Sequence, residues 1–573
     1  MKKSILFSIF LSSFLLMNFK INYTSIEETN VTIPVRKLSK NFNGQELTIY
    51  NCADYIDEEL IENFQEEYNC KINYYTYDTN ETMYNQLTLQ PEGTYDLVCT
   101  SEYMIQRMIR EGLVDPIDIK NSCPTYDQYA SKVAREKLGS LYVDTNNDGI
   151  KDTSLDNYVV GYMWGTLGII YDPYCSDTIR EDVKSWDIFW DEKYNDLISI
   201  KNSMRDTFVV GLMHAYKGSN VTNLEDVLTP ARETFLNELS AAQNEIEKEN
   251  ARNKYNQVIQ NIFDLIINEE DYTPILDIVK QELISLKENI FGFEVDSGKN
   301  DIITGKIKMN LAWSGDAVYS IGQAYEQEEK VLEYYVPEDG SNVWYDGWTL
   351  PKGANKELAY AFMEYLSTPE NAAANMNYIG YTSFIACDEV FDLVSSWYGV
   401  SEFNITTPYY AAYYDEEEDV DVEANVVLYN NKFYTSIKDT EGNILPTNTE
   451  YFEEISKEEL DLLDEPYDLN YFFGENMSEG RNALIYPYNG SLNQLETQYP
   501  SIDTIARCAV MNDFEEANKD VVIMWGQVKA YTNMLPFYIF LSCSLATVII
   551  YFTITIVKKN KSTKNKRRLE NIK

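Results

Sequence analysis

The sequence predicts an α/β protein. Two observations carry the prediction: apolar strand-like runs alternate with stretches of helical period from residue 46 onward, and 573 residues are enough for two or three domains. Residues 46–51 (Glu-Leu-Thr-Ile-Tyr-Asn) read as a first buried strand. Residues 55–68 follow with a helical period through Ile56, Leu60, Ile61 and Phe64. Residues 71–77 read as a second strand, 81–89 as a second helix and 95–100 as a third strand, followed by a helix through Met104, Met108 and Ile109. Strand and helix alternating at this spacing imply a parallel sheet with crossover helices, in which ligands bind outside the carboxyl ends of the strands. Residues 51–55 and 101–103 occupy those ends.

Charge narrows the partners. The chain carries 47 Lys+Arg against 92 Asp+Glu, a net charge of −45. Nucleic-acid binding draws on clustered basic residues, so no nucleic-acid partner is expected, whereas an acidic surface concentrates cations. The single histidine, His214, leaves little room for His-based catalysis or metal binding. Cys52, Cys70, Cys99, Cys123, Cys175, Cys387 and Cys508 are scattered without CxxC spacing, which argues against a dense disulfide framework or a zinc site.

Both ends of the chain read as membrane-directed. Met1-Lys2-Lys3 and the apolar run 4–17 resemble a secretory signal, and residues 1–24 are expected to be a signal peptide or an N-terminal anchor. Residues 535–557 form an apolar run, with Cys543 inside it, long enough to span a bilayer as a helix. Lys558, Lys559, Lys561, Lys564, Lys566, Arg567 and Arg568 follow, so the tail 558–573 is expected to be cytoplasmic and the bulk of the chain extracellular at the cell membrane.

Two motifs suggest ligands. In Trp344-Tyr345-Asp346-Gly347-Trp348 an acid stands among two indoles and a phenol, an environment suited to an organic cation. The same residues also read as core aromatics, with Asp346 capping the turn before a strand at 349–351. In Asp144-Thr145-Asn146-Asn147-Asp148-Gly149-Ile150-Lys151-Asp152, oxygen ligands alternate around a glycine as in a calcium loop. Asp144, Asn146, Asp148 and Asp152 are the candidate ligands. Leu155 stands where an EF-hand has its bidentate Glu, so a plain Asx-rich turn is the alternative.

Longer runs carry a family resemblance. Residues 47–54, 75–84 (Tyr-Thr-Tyr-Asp-Thr-Asn-Glu-Thr-Met-Tyr), 95–98 and 111–118 (Glu-Gly-Leu-Val-Asp-Pro-Ile-Asp) begin the series. It resumes at 162–166, 185–190, 310–315 (Asn-Leu-Ala-Trp-Ser-Gly), 344–351 and 379–382. Together, over about 300 residues, they resemble the spermidine/putrescine-binding proteins of bacterial polyamine ABC importers.

The resemblance implies a two-lobed periplasmic-binding-protein-like fold (type 2) that closes on its ligand. Lobe 1 would comprise 45–160 plus 345–385, and lobe 2 would comprise 161–343 plus 500–530. Two stretches exceed the family's length: 224–289, expected to be a helical insertion in lobe 2, and 387–494, an acidic insertion carrying the acid runs 415–419 and 458–461 around a strand-like 426–429.

Position by position, the resemblance implies a ligand site of Asp54, Tyr55, Ser101, Tyr103, Asp206, Trp313, Trp344, Asp346 and Tyr381. Asp346 would take an inner amine between Trp344 and Trp313. Asp206 and Asp54 would hold the terminal amines, and the tyrosines would supply walls and hydroxyls. Read without the resemblance, Asp206 is a neighbour of Arg205 on a surface helix. The chain departs from the family at Cys52 and Ala53, at Ser203 where an acid is expected, and at Met511 where a Gln is expected; these changes leave the choice of amine open.

The function implied is extracellular capture of a polyamine and delivery to permease and ATPase subunits on separate chains, since two apolar runs are too few for a pore and no GxxxxGK[ST] loop is present. The alternatives are the same fold serving another small ligand, and an adhesion or interaction protein working through its acidic insertions. No nucleophile–base pair is evident, so an enzyme is not expected.

Overall fold

A computed structural model describes residues 41–218, 224–295, 297–415, 420–532 and 535–570. The segment 1–24 and the acid run 416–419 lie outside the described residues. The chain divides into two units, Met1–Val522 and Ile523–Lys573.

In the first unit, β1 (Glu46–Cys52), α1 (Glu58–Tyr68), β2 (Lys71–Tyr77), α2 (Asn80–Leu89), β3 (Leu97–Ser101) and α3 (Glu102–Arg110) alternate as the period suggests. Asp57 starts α1 by accepting the Glu59 N–H, and the helix buries Leu60, Ile61 and Phe64. The expected helix start at residue 55 falls two to three residues early, because Tyr55 belongs to the turn after β1 rather than to the helix.

A second alternation follows with β4 (Val160–Tyr171), β5 (Ile198–Lys201), α4 (Met204–Tyr216), β6 (Gly292–Glu294), β7 (Met309–Trp313), α8 (Ser314–Glu328) and β8 (Ser341–Pro351), where α5 (Leu228–Ala241), α6 (Glu245–Phe263) and α7 (Thr273–Lys287) lie between α4 and β6. The main sheet runs β2-β1-β3-β8-β4-β7-β5-β6. Its two ends are parallel, β2-β1-β3 and β7-β5-β6, while the long strands β4 and β8 pair antiparallel between them. The fold is therefore a two-lobed α/β arrangement of two parallel runs joined through β4 and β8. β4 is buried over its whole length, consistent with strands covered on both faces.

The 224–289 stretch, expected as a helical insertion, contains three long helices and the short helix Leu265–Asn268. Phe235 of α5 stacks on Tyr255 of α6 at 4.9 Å, and Gly211 of α4 lets Leu283 of α7 approach so closely that a Cβ there would lie 2.8 Å from it.

The 387–494 stretch is only partly separate. Tyr409, Val427, Tyr434 and Phe452 form a small core of their own, and Val426–Tyr429 is a strand paired with Lys432–Ser436. Phe472, Phe473, Ala483 and Ile485 instead join the main core, with Phe472 stacked on Trp164 of β4 at 5.4 Å.

In the second unit, α9 (Leu535–Glu570) is one continuous helix, with Leu541, Leu545, Ile549, Ile550, Phe552 and Ile556 exposed. Thr547, Thr553 and Thr555 donate their hydroxyls to carbonyls four residues back. Among the described residues, no helix is long and apolar enough to cross a membrane.

Candidate functional site

Residues 344–348, read from sequence either as a box or as a turn before a strand, lie inside the unbroken strand β8. The register against β4 shifts between Asp346 and Gly347, a bulge that re-aims the side chains on either side of it. Gly347 is required there, because a Cβ would lie 2.2 Å from Val159. The bulge splits the motif. Trp348 points into the core against Tyr162 and Phe362, and Tyr345 stacks on Trp164, so these two rings do not wall the acid. Trp344 and Asp346 face the other way.

Asp346 receives a 2.7 Å hydrogen bond from the hydroxyl of Tyr55, which arrives on the turn after β1. Tyr55 stands edge-on to Tyr381 at 5.0 Å, and Tyr381 lies 5.7 Å from Trp344. Gly315 permits this arrangement, since a Cβ would meet the Tyr381 ring at 2.3 Å. Asp346 Oδ1 and Trp344 Nε1 are buried and have no hydrogen-bond partner among the described residues. Burial pushes the Asp346 carboxyl up to about 6; the Ser101 and Tyr55 hydroxyls oppose the shift, and the charge of Asp206 adds to it.

Asp206 lies in the first turn of α4, where Ser203 caps the helix by accepting its backbone N–H at 3.3 Å. The carboxylate accepts from Trp313 Nε1 at 3.2 Å. Burial pushes its pKa up, opposed by the Ser203 and Trp313 hydrogen bonds and then by the positive charges of Lys201 and Arg205. The surface-helix reading of Asp206 and Arg205 does not hold, because both are buried. Arg205 donates to the carbonyls of Met511 and Asn512 and lies 3.7 Å over the Tyr103 ring. One face of Tyr103 is thereby covered by the chain's own cation, and its hydroxyl donates to Glu81 at 3.3 Å. Met511 contributes its carbonyl to Arg205.

Ser101 occupies the N-cap position of α3 without a side-chain capping bond and stands opposite Asp346 in the β3–β8 register; its hydroxyl accepts from Asn80 at 3.0 Å. Asp54 is exposed, with a left-handed backbone at φ 52°. The structure thus brings together Tyr55, Ser101, Trp344, Asp346 and Tyr381 around one carboxylate and Trp313 with Asp206 around a second, while Tyr103 is engaged by Arg205 and Asp54 stays on the surface.

Several charged groups escaped the sequence reading. Glu102 is 1% exposed, accepts the Tyr345 N–H at 2.8 Å, and is pushed up to about 8, chiefly by burial. Asp316 accepts from the Tyr381 hydroxyl at 2.8 Å and from Lys201 at 2.9 Å. Burial would raise its pKa, yet Lys201 and Lys299 hold it down at about 2. Lys201 directly after the strand-like Ile198-Ser199-Ile200 run was the available signal, since a lysine is almost never fully buried unless paired.

In the Asp144–Asp152 loop, Asp144 accepts the backbone N–H groups of Asn146, Asn147 and Gly149, Asn146 accepts that of Asp148, and Asp148 accepts that of Ile150. Asp152 lies against the Thr153 hydroxyl at 3.3 Å. Among the described residues no cluster of three His, Cys, Asp or Glu is poised for a metal, so a cation in this loop would need Asn146 as a ligand.

The profile of a family described as bacterial extracellular solute-binding protein matches residues 59–390. The spermidine/putrescine-binding periplasmic protein of Salmonella typhimurium is 26% identical over 337 residues, covering 58% of this chain and 76% of that protein. The putrescine-binding periplasmic protein PotF of Escherichia coli is 24% identical over 347 residues, covering 59% and 77%. The solved spermidine/putrescine ABC transporter substrate-binding protein PotD of Streptococcus pneumoniae is 26% identical, with a TM-score of 0.39 over 60% of this chain and 84% of its own.

Proposed function

The chain belongs to the bacterial extracellular solute-binding proteins, and from that premise we propose that it captures a polyamine outside the cell and delivers it to an ABC permease and ATPase on other chains. It is a binding protein and not an enzyme. The names of its relatives support the amine class, and the observation that carries it here is Asp346: a buried carboxylate with one oxygen held by Tyr55 and the other without a partner, beside the rings of Trp344 and Tyr381. An ammonium group supplies the donors and positive charge such an oxygen lacks, and the rings suit a cation and its methylenes.

Asp206 with Trp313 would receive a second ammonium, while Asp54 is a rim carboxylate. Titration calorimetry of the purified full-length protein with putrescine and spermidine tests the reading. Saturable binding that collapses in Asp346→Asn is expected; no heat from folded protein would overturn it.

The anchoring of the chain is part of the proposal. No helix among the described residues is by itself long and apolar enough to cross a membrane, so the anchor rests on the sequence: the full apolar run 535–557 would cross, supported by the exposed apolar side chains, by hydroxyls satisfied within the helix, and by the basic run beginning at Lys558. On this reading a chain ending at residue 532 is released from membranes, whereas the full chain resists alkaline extraction; release of the full chain would refute the anchor. We also propose that a calcium ion binds the Asp144–Asp152 loop, on the strength of its alternating oxygen donors.

A further inference from the structure

An ammonium of the chain itself lies beside the candidate site. Lys201, the last residue of β5, is 1% exposed. Its Nζ donates to Asp316 Oδ2 at 2.9 Å and to the Val295 carbonyl at 2.9 Å, and lies 3.3 Å from Glu294 Oε1. Three acceptors meet the three N–H groups a lysine offers, so the charge is fixed in place rather than merely tolerated. The same Nζ lies 4.5 Å from the centre of the Trp313 ring. Thr207 of α4 donates its hydroxyl to the Lys201 carbonyl at 2.7 Å, locking the strand end to the helix turn that carries Asp206.

Trp313 therefore stands between a carboxylate and a cation of the protein: its N–H serves Asp206, and its ring is within cation–π reach of Lys201. Asp316 and Glu294 are engaged by the chain's own cations, Asp316 by Lys201 at 2.9 Å and Lys299 at 3.6 Å and Glu294 by Lys201 at 3.3 Å. Asp346 and Asp206 differ from that set, since the side chains that donate hydrogen bonds to them, the Tyr55 hydroxyl and the Trp313 indole, are neutral. Two buried carboxylates with neutral donors match two ligand ammonium groups. A third ammonium at the Trp313 end would lie close to Lys201 and be repelled by it through a low-dielectric interior.

We propose that Lys201 limits the number of ammonium groups the site accepts, so that the preferred ligand is a diamine and a triamine is disfavoured. The proposal rests on the amine-binding reading above and adds a specificity determinant to it. Beyond Asp206, Lys201 acts on the aromatic wall, because the Asp316 it holds also fixes the Tyr381 hydroxyl.

Calorimetry on the full-length protein with putrescine and spermidine tests the proposal. Putrescine is expected to bind at least about tenfold more tightly, the scale of one like charge at close range. Equal or tighter spermidine binding by the wild-type protein would overturn the role of Lys201 and leave the amine reading intact, whereas binding of neither amine by folded protein would overturn both. In Lys201→Met and Lys201→Gln the spermidine-to-putrescine affinity ratio is expected to rise about tenfold on the same electrostatic scale. An unchanged ratio in either folded variant contradicts the proposal. Should loss of the ammonium leave Asp316 and Glu294 too costly for folding, spermidine binding by the wild-type protein that equals or exceeds putrescine binding still overturns the role of Lys201.

Discussion

The hydroxyl of Tyr55 donates to Asp346 across 291 residues of sequence, joining the turn after β1 to the bulge in β8. Tyr55→Phe removes that donor while keeping the ring packed against Tyr162 and Tyr381. A hydrogen bond to a charged group contributes about 1.5–3 kcal/mol, so amine affinity should fall about 10- to 100-fold with little change in thermal stability. Calorimetry beside a melting curve measures both. A large loss of stability would show that the tyrosine is a core residue first.

Asp346 should set opposite pH trends for stability and binding. Burial raises its folded pKa to about 6, above the ordinary carboxylate value, so the folded chain binds this proton more tightly than the unfolded chain does. Its contribution to stability is full below about pH 4 and is lost as pH rises through about 6, because the charged form must then be buried. Amine binding needs the charged form and strengthens over the same window. In the ligand-free protein, Asp346→Asn is therefore expected to melt above the wild type at pH 7, with the gap closing toward pH 4, and to have lost binding. A variant melting below the wild type at pH 7 would show that the buried charge is compensated within the chain.

Much of this arrangement was legible in the sequence, and its limits have physical causes. The alternation that begins at β1 is local, so period and composition revealed it. The split of residues 344–348 was not legible, because a one-residue bulge reverses which side chains share a face and leaves no mark beyond Gly347. Arg205 was read as a surface neighbour of Asp206 because its partners, the carbonyls of Met511 and Asn512, lie 306 and 307 residues away. Asp316 stands one residue beyond the stretch 310–315 that carries the resemblance, and its importance depends on Lys201 and Tyr381, which only the folded sheet brings to it.

The 387–494 stretch should not be removable as a block. Phe472 stacks on Trp164 at the centre of the main sheet and touches Phe473 and Tyr499 in the same core. Truncation of a buried Phe costs about 3–5 kcal/mol, so Phe472→Ala should lower the urea midpoint markedly, whereas Phe452→Ala in the separate small core should leave amine binding intact. A stable Phe472→Ala protein would mean that the stretch packs on the main core without supporting it.

The Asp144–Asp152 loop permits a direct test of the calcium reading. Asp144 Oδ1 already accepts two backbone N–H groups of the loop, whereas Asp144 Oδ2, Asn146 Oδ1 and Asp148 Oδ1 accept one each and retain a lone pair for a cation, and Lys151 turns outward to pair with Glu515 at 2.7 Å. An ion that binds the folded state but not the unfolded one raises the melting temperature in proportion to the logarithm of its concentration. Millimolar calcium should therefore raise the melting temperature and a chelator should reverse the shift, with Asp144→Ala and Asn146→Ala both abolishing the response. If calcium leaves the melting curve unchanged while Asp144→Ala lowers it, the loop is a turn stabilised by its own amides, and Asp144 serves as the acceptor that closes it.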